Sequence, residues 1–123
     1  MAKKILVVED DPDNRRIVAK TLSVEGYHVV EAIDGVQAIA QAHAEHPDLV
    51  LMDLALPNMD GWEATRRLKS DPATRGIPVV ALTAVAMRGD EEQARAAGCD
   101  DYLSKPARPV AIREMVRKYT GGA

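Results

Sequence analysis

Several residues able to handle a phosphoryl group follow directly after short apolar segments of the chain. Glu9 and Asp10 follow the segment Ile5–Val8, and Asp53 follows Leu49–Met52. Carboxylates that lie close together cannot all stay ionised without a compensating charge, and a hard cation such as Mg²⁺ supplies it. A carboxylate is also a nucleophile toward phosphorus and forms an aspartyl phosphate. We therefore expect Asp10 and Asp53 to be direct Mg²⁺ ligands, with Glu9 acting through a water molecule.

A hydroxyl group and an amine occupy equivalent places further along the chain. Thr83 follows the apolar segment Pro78–Leu82, and Lys105 follows Tyr102–Ser104. An ammonium group and a hydroxyl donor can offset the charge on phosphoryl oxygens, which is what phosphoryl transfer requires of a protein.

These residues can form one site only if the apolar segments are strands of one sheet. Their continuous apolar character is typical of parallel strands buried on both faces. The five predicted strands are Ile5–Val8, His28–Ala32, Leu49–Met52, Pro78–Leu82 and Tyr102–Ser104.

Each predicted strand is followed by a helical pattern. Asp11 before Pro12 predicts an N-cap for the first helix. Capping boxes that begin at Asp34, Asp60 and Asp90 predict the starts of the next three helices. The helix that begins at Asp90 is predicted to end at Gly98. The predicted inward-facing residues are Ile17, Val18 and Leu22; Val36, Ile39, Ala40 and His43; Leu68; and Ile112, Met115, Val116 and Tyr119.

This alternation predicts a (βα)₅ architecture, a doubly wound parallel sheet covered by helices on both sides, in one domain over residues 1–123. In such sheets ligands bind at the carboxyl ends of the strands. The carboxylates, the hydroxyl and the amine are therefore expected to meet at one edge.

Composition excludes several other classes of function. The net charge is −3 without a basic cluster, which argues against nucleic-acid binding, and no apolar run approaches membrane-spanning length. The one cysteine, Cys99, allows no internal disulfide, fits a reducing cytoplasm and is predicted to be a small buried side chain. A P-loop nucleotidase is excluded because no Gly-Lys-Ser/Thr motif is present.

The motifs at the strand ends resemble those of the receiver domains of two-component response regulators, the CheY-like group. The resemblance covers essentially the whole chain. It is carried by the motifs Leu6-Val7-Val8-Glu9-Asp10, Leu51-Met52-Asp53 with Leu56-Pro57 and Asp60-Gly61, Leu82-Thr83-Ala84, and Tyr102-Leu103-Ser104-Lys105-Pro106. It implies a flavodoxin-like fold with strand order 2-1-3-4-5.

The resemblance also implies a role for each site residue. Asp53 would be the phosphoacceptor, Thr83 and Lys105 would bind the phosphoryl group, and the backbone carbonyl of Ala55 would complete the metal site. Ala84 would be a small position that leaves room for Thr83 to move. Thr83 and Tyr102 would form the switch. The peptide bond between Lys105 and Pro106 would be cis.

The implied function is Mg²⁺-dependent acceptance of a phosphoryl group from a sensor histidine kinase or a phosphotransfer protein. Such a domain hydrolyses its own aspartyl phosphate and is not a turnover enzyme. It would act as a monomer or weak dimer in the cytoplasm and bind a downstream target protein through the fourth helix, fifth strand and fifth helix. The alternatives are a pseudo-receiver that only docks, and a receiver cut from a larger regulator or hybrid kinase.

Overall fold

Five parallel strands form the sheet in the computed structural model, which describes residues 2–56, 58–83, 92 and 95–122. The strand order is β2-β1-β3-β4-β5, as expected from the resemblance. The strands are β1 (Lys4–Val8), β2 (His28–Ala32), β3 (Leu49–Asp53), β4 (Val79–Thr83) and β5 (Asp101–Ser104).

Three of the four helices described in full start where capping residues predict them. The described helices are α1 (Pro12–Val24), α2 (Gly35–Glu45), α3 (Gly61–Ser70) and a C-terminal helix (Pro109–Thr120). Asp11, Asp34 and Asp60 each accept a backbone hydrogen bond from the first turn of their helix, at 2.9, 2.8 and 2.9 Å. Each such cap is worth about 1 kcal/mol.

The fourth predicted helix lies largely outside the described residues. Its expected start at Asp90 falls in that part of the chain. Residues 95–97 are helical, and the chain then turns at Gly98, whose φ of 102° is a conformation that favours glycine.

The sheet separates two apolar cores. Leu6 and Val8 point to the side covered by α2 and α3, whereas Ile5 and Val7 point to the side covered by α1 and the C-terminal helix. All four side chains are fully buried. This confirms burial on both faces for β1, and β3 and β4 are buried along their whole length, whereas the edge strands β2 and β5 are partly exposed. Full burial of each large aliphatic side chain stabilises the fold by roughly 1.5–3 kcal/mol.

The prediction for the inner face of α2 was wrong at three of its four residues, while Ile39 packs against the core as expected. Ala38 and Ala42 face the core, whereas Val36, Ala40 and His43 are exposed. The cause is the close approach of the helix start to the chain before α3. A Cβ atom on Gly35 would lie 2.3 Å from the backbone oxygen of Met59. Such tight packing favours the small side chains of Ala38 and Ala42 where the helix lies closest to the core.

The prediction for α1 was wrong at one residue. Val18 and Leu22 are buried as expected, but Ile17 is 54% exposed. Because successive helix residues are about 100° apart, Val18 and Leu22 take the sheet-facing side and Ile17 lies to one side. It lines a groove of about 410 Å³ between α1 and the chain leading into the C-terminal helix.

The predictions for α3, for the C-terminal helix and for the cysteine were correct. Leu68, Ile112 and Val116 are buried, with Met115 and Tyr119 partly buried beside them. Cys99 is buried, and burial raises the pKa of its thiol. Among the described helices, none has both the length and the apolar character needed to cross a membrane.

Candidate functional site

The register of the sheet aligns the strand ends that carry the chemistry. Val8 pairs with Met52, so the next residues, Glu9 and Asp53, leave β1 and β3 side by side. In the same way, Asp53 pairs with Leu82. The register between β4 and β5 pairs Thr83 with Ser104, directly before Lys105. The sequence prediction that these residues meet at one edge is therefore confirmed for Glu9, Asp53, Thr83 and Lys105.

Lys105 joins two acidic side chains of this edge. Its Nζ lies 2.9 Å from Oε1 of Glu9 and 2.9 Å from Oδ2 of Asp53. Both carboxylates are almost fully buried, at 2% and 3% exposure. Burial alone lowers the pKa of Lys105, but the bonds to Asp53 and Glu9 outweigh it and hold that pKa above its ordinary value. The ammonium group is therefore fixed as a cation inside the pocket.

One ammonium group does not balance the negative charge of the pocket. Glu9, Asp10 and Asp53 each offer a carboxylate oxygen, and these atoms all lie within 4.8 Å of one another. Burial raises the pKa of Glu9 from 4.5 to about 7, and Asp53 adds to this effect while Lys105 opposes it. A pocket that disfavours its own negative charge and presents only hard oxygen ligands suits Mg²⁺.

The loop after β3 holds Asp53 in a defined orientation. Oδ1 of Asp53 accepts a hydrogen bond from the backbone N–H of Ala55 at 3.1 Å. Ala55 itself is exposed, so the loop borders solvent. At the far end of the loop, the N–H of Gly61 donates to the carbonyl of Leu54 at 3.1 Å. A Cβ on Gly61 would lie 2.3 Å from the backbone oxygen of Asp53, so only glycine permits this closure.

The remaining predicted site residues that the structure describes lie on β4, on β5 or directly after β5. Thr83 is buried at 4% exposure, and its backbone oxygen accepts a hydrogen bond from the N–H of Lys105 at 2.6 Å. Tyr102 is partly buried and packs on the core beneath α2 and α3. The peptide bond between Lys105 and Pro106 is cis. Ala84 lies outside the described residues.

Sequence reasoning missed the contacts that Arg15, Asp34 and Asn58 make with segments that carry the pocket residues. Arg15 on α1 donates to the backbone oxygen of Glu9 at 3.0 Å and pairs with Glu31 at 3.1 Å. Asp34 was predicted only as a helix cap, yet it also accepts a hydrogen bond from Asn58 at 2.8 Å. The available signal was the residue type of Asn58, since asparagine tolerates the left-handed backbone that it adopts here, with φ of 64°.

A family comparison agrees with this geometry. Residues 5–117 match the model of the response regulator receiver domain. The chain belongs to this family, which places it in two-component signalling. Receiver domains act as signalling proteins that interact with histidine kinases and downstream targets, and not as turnover enzymes.

Relatives of known name support the assignment along the full length of the chain. The polar-differentiation response regulator DivK of Brucella ovis is 41% identical over 123 residues, which is 100% of both chains. The DivK protein of Brucella anthropi is 40% identical with the same coverage.

Solved structures show the same fold. The receiver domain of the sensor histidine kinase PA1611 from Pseudomonas aeruginosa, with a magnesium ion coordinated in its active-site cleft, superposes with a TM-score of 0.91 at 37% identity, covering 99% of this chain and 100% of that chain. The chemotaxis response regulator CheY4 of Vibrio cholerae has a TM-score of 0.91 at 27% identity, covering 97% and 99% of the two chains.

Proposed function

We propose that this protein accepts a phosphoryl group on Asp53 in a Mg²⁺-dependent reaction. The donor is a phosphohistidine of a sensor histidine kinase or of a histidine phosphotransfer protein. The observation that carries the proposal is the buried Asp53 carboxylate, held between the ammonium group of Lys105 and two further acidic side chains. The named relatives are response regulators, which is consistent with this role.

The residues of the pocket divide the work of phosphoryl transfer. A carboxylate oxygen of Asp53 forms a bond to phosphorus while the bond from phosphorus to the donor imidazole nitrogen breaks, and that nitrogen keeps the electron pair. Lys105 offsets negative charge on one phosphoryl oxygen, and the hydroxyl of Thr83 donates to another. Positioned charge and donors of this kind account for most of the rate in phosphoryl transfer.

The acidic residues would hold the cation. Asp10 and Asp53 would bind it directly, Glu9 would act through a water molecule, and the backbone carbonyl of Ala55 would complete the set. When bound, Mg²⁺ supplies the positive charge that lets the anionic phosphoryl group enter an acidic pocket. Water later hydrolyses the aspartyl phosphate, so the protein resets itself and turns over no external substrate.

The phosphoryl group changes the protein surface through a switch. Thr83 moves toward the phosphoryl group, a movement that the small residue Ala84 permits. Tyr102 then turns inward. Phosphorylation thereby shifts an equilibrium between inactive and active conformations. The responding face consists of the helix that ends at Gly98, β5 and the C-terminal helix.

The partner of that face is a downstream target protein, and neither nucleic acid nor a membrane takes part. The protein works in the cytoplasm as a monomer or weak dimer. It stands alone or forms part of a larger regulator or hybrid kinase.

Intact mass spectrometry after incubation with a small phospho-donor and Mg²⁺ tests the proposal. The unaltered protein should gain the mass of one phosphoryl group, and Asp53→Asn or removal of Mg²⁺ should abolish the gain. Glu114→Gln, at an exposed carboxylate on the C-terminal helix, is the matched control and should gain the same mass. An adduct that persists in Asp53→Asn would place the acceptor elsewhere. Failure of the unaltered protein to gain mass would favour a pseudo-receiver that only docks.

A further inference from the structure

The loop between β3 and α3 is held at both ends by backbone hydrogen bonds of the sheet region. At its start, the N–H of Leu54 donates to the carbonyl of Leu82 at 3.1 Å. At its end, the N–H of Gly61 donates to the carbonyl of Leu54 at 3.1 Å. Ala55, whose carbonyl belongs to the proposed metal site, lies inside this loop. These end contacts leave the middle of the loop to be positioned by other contacts.

The start of α2 provides those contacts. Oδ2 of Asp34 accepts a hydrogen bond from the side-chain amide of Asn58 at 2.8 Å. One residue further along each segment, the N–H of Gly35 donates to the carbonyl of Met59 at 3.1 Å. The N-cap Asp34 and the first helical residue Gly35 therefore bind two consecutive residues of the loop.

The contact is tightly specified on both sides. Asp34 is 7% exposed, and its other carboxylate oxygen caps α2 by accepting from the N–H of Gln37 at 2.8 Å. A side chain on Gly35 would collide with the backbone of Met59. Asn58 has a φ of 64°, which few residues other than asparagine, aspartate and glycine adopt readily. Because Asp34 is fixed to the helix, the position of Asn58 is fixed relative to the helix and not only to its own loop.

We propose that the Asp34–Asn58 hydrogen bond and the Gly35–Met59 contact form a clamp that sets the position of the Ala55 carbonyl for the cation. Asp34 and Asn58 are positioning residues, since they act on the pocket through the loop. The inference rests on the proposed function, because it concerns the Mg²⁺ site of that function. Groups that orient metal ligands from outside the first layer typically change metal affinity by about 10–100-fold when they are altered.

A double-mutant cycle across the hydrogen bond tests the clamp, with Mg²⁺ affinity measured by titration calorimetry. In Asn58→Asp, two carboxylates face each other, and we expect the Kd for Mg²⁺ to rise about tenfold. In Asp34→Asn alone, the amide still caps α2 and Asn58 can turn its oxygen toward it, so the change should be small. The double variant Asp34→Asn with Asn58→Asp restores a donor and an acceptor in exchanged positions, and its affinity should return to within about twofold of the original.

Two further variants separate positioning from general stability. Asn58→Gly keeps the backbone conformation accessible but removes the amide, so it should also weaken Mg²⁺ binding while the protein stays folded. Ala44→Gly lies on the exposed side of α2 and lowers the stability of that helix without touching the loop. It should lower the melting temperature and leave the Kd for Mg²⁺ unchanged.

The outcomes distinguish this inference from the function on which it rests. Rescue by the exchanged pair supports the clamp. If the unaltered protein binds Mg²⁺ and both Asn58→Asp and Asn58→Gly bind it equally well, the clamp is wrong and the proposed function stands. If the unaltered protein binds no Mg²⁺, the metal-dependent function is wrong and the inference is lost with it.

Discussion

The ammonium nitrogen of Lys105 lies 2.9 Å from Oδ2 of Asp53, inside a pocket at the carboxyl edge of the sheet. It lies equally close to Oε1 of Glu9. Without a cation, Lys105 therefore offsets part of the negative charge of this pocket. It is also the group on which an incoming phosphoryl group would depend. Lys105 should therefore weaken the binding of a cation and speed up phosphorylation.

Replacement of Lys105 by Met should separate these two effects. We expect phosphorylation from a small phospho-donor to slow by about 10²-fold, because a positioned positive group is lost. Mg²⁺ should bind more tightly, because the cation no longer meets an ammonium group beside the same carboxylates. Rates from intact mass and affinities from calorimetry measure the two effects. Lys118→Met removes an exposed lysine near the end of the C-terminal helix that pairs with Asp101. It should change neither the phosphorylation rate nor the Mg²⁺ affinity. Weaker Mg²⁺ binding in Lys105→Met would contradict the proposed opposition.

The raised pKa of Glu9 predicts a pH dependence of stability in the absence of divalent cations. The pKa is about 7 in the folded protein against 4.5 ordinarily, so the unfolded chain releases this proton first as the pH rises. The contribution of Glu9 to stability should therefore be fully present below about pH 4.5, fall up to about pH 7 and stay constant above it. Urea unfolding of the unaltered protein and of Glu9→Gln, at pH about 5 and about 8, measures the effect. Relative to the unaltered protein, Glu9→Gln should gain stability at the higher pH. An equal difference at both pH values would show that Glu9 titrates normally.

Two glycines make a matched test of the loop closure beside Asp53. Gly61→Ala forces a Cβ to within 2.3 Å of the Asp53 backbone oxygen, so we expect a loss of about 1–3 kcal/mol and slower phosphorylation. At Gly76, a Cβ would meet nothing within 4 Å, and the residue has no positive φ. Gly76→Ala should leave phosphorylation unchanged and stability unchanged or raised by up to about 1 kcal/mol. Denaturant unfolding measures the stability of both variants, and intact mass spectrometry measures their rates of phosphorylation. Equal effects at Gly61 and Gly76 would contradict the steric explanation.

The one tryptophan offers an optical reading of metal binding. Trp62 is partly buried at the start of α3, next to Gly61 and the loop of the metal site. We expect Mg²⁺ to change its fluorescence in a saturable way, and chelation to reverse the change. Asp10→Asn removes one carboxylate of the acidic cluster and should raise the required Mg²⁺ concentration at least about tenfold. Asp13→Asn alters an exposed acid of α1 outside that cluster and should titrate like the unaltered protein. Identical curves for all three proteins would remove Asp10 from the site.

Sequence alone determined the architecture and most members of the pocket. Apolar strands that alternate with capped helices predict a parallel sheet, and the carboxyl ends of parallel strands meet at one edge. Glu9, Asp53, Thr83 and Lys105 could therefore be assigned to one pocket without knowing any distance. The same local signals located the starts of α1, α2 and α3, because a cap depends on residues a few positions apart.

Only the tertiary structure decided how the pocket is balanced and supported. Most of the inner face of α2 was predicted wrongly because the close contact of Gly35 with Met59 joins segments far apart in the chain. The Asp34–Asn58 bond and the raised pKa of Glu9 arise in the same way. Each depends on distances of a few ångströms between separate elements and on the exclusion of water around them. Hydrophobic period and capping signals describe one element at a time, so they contain no information about such distances.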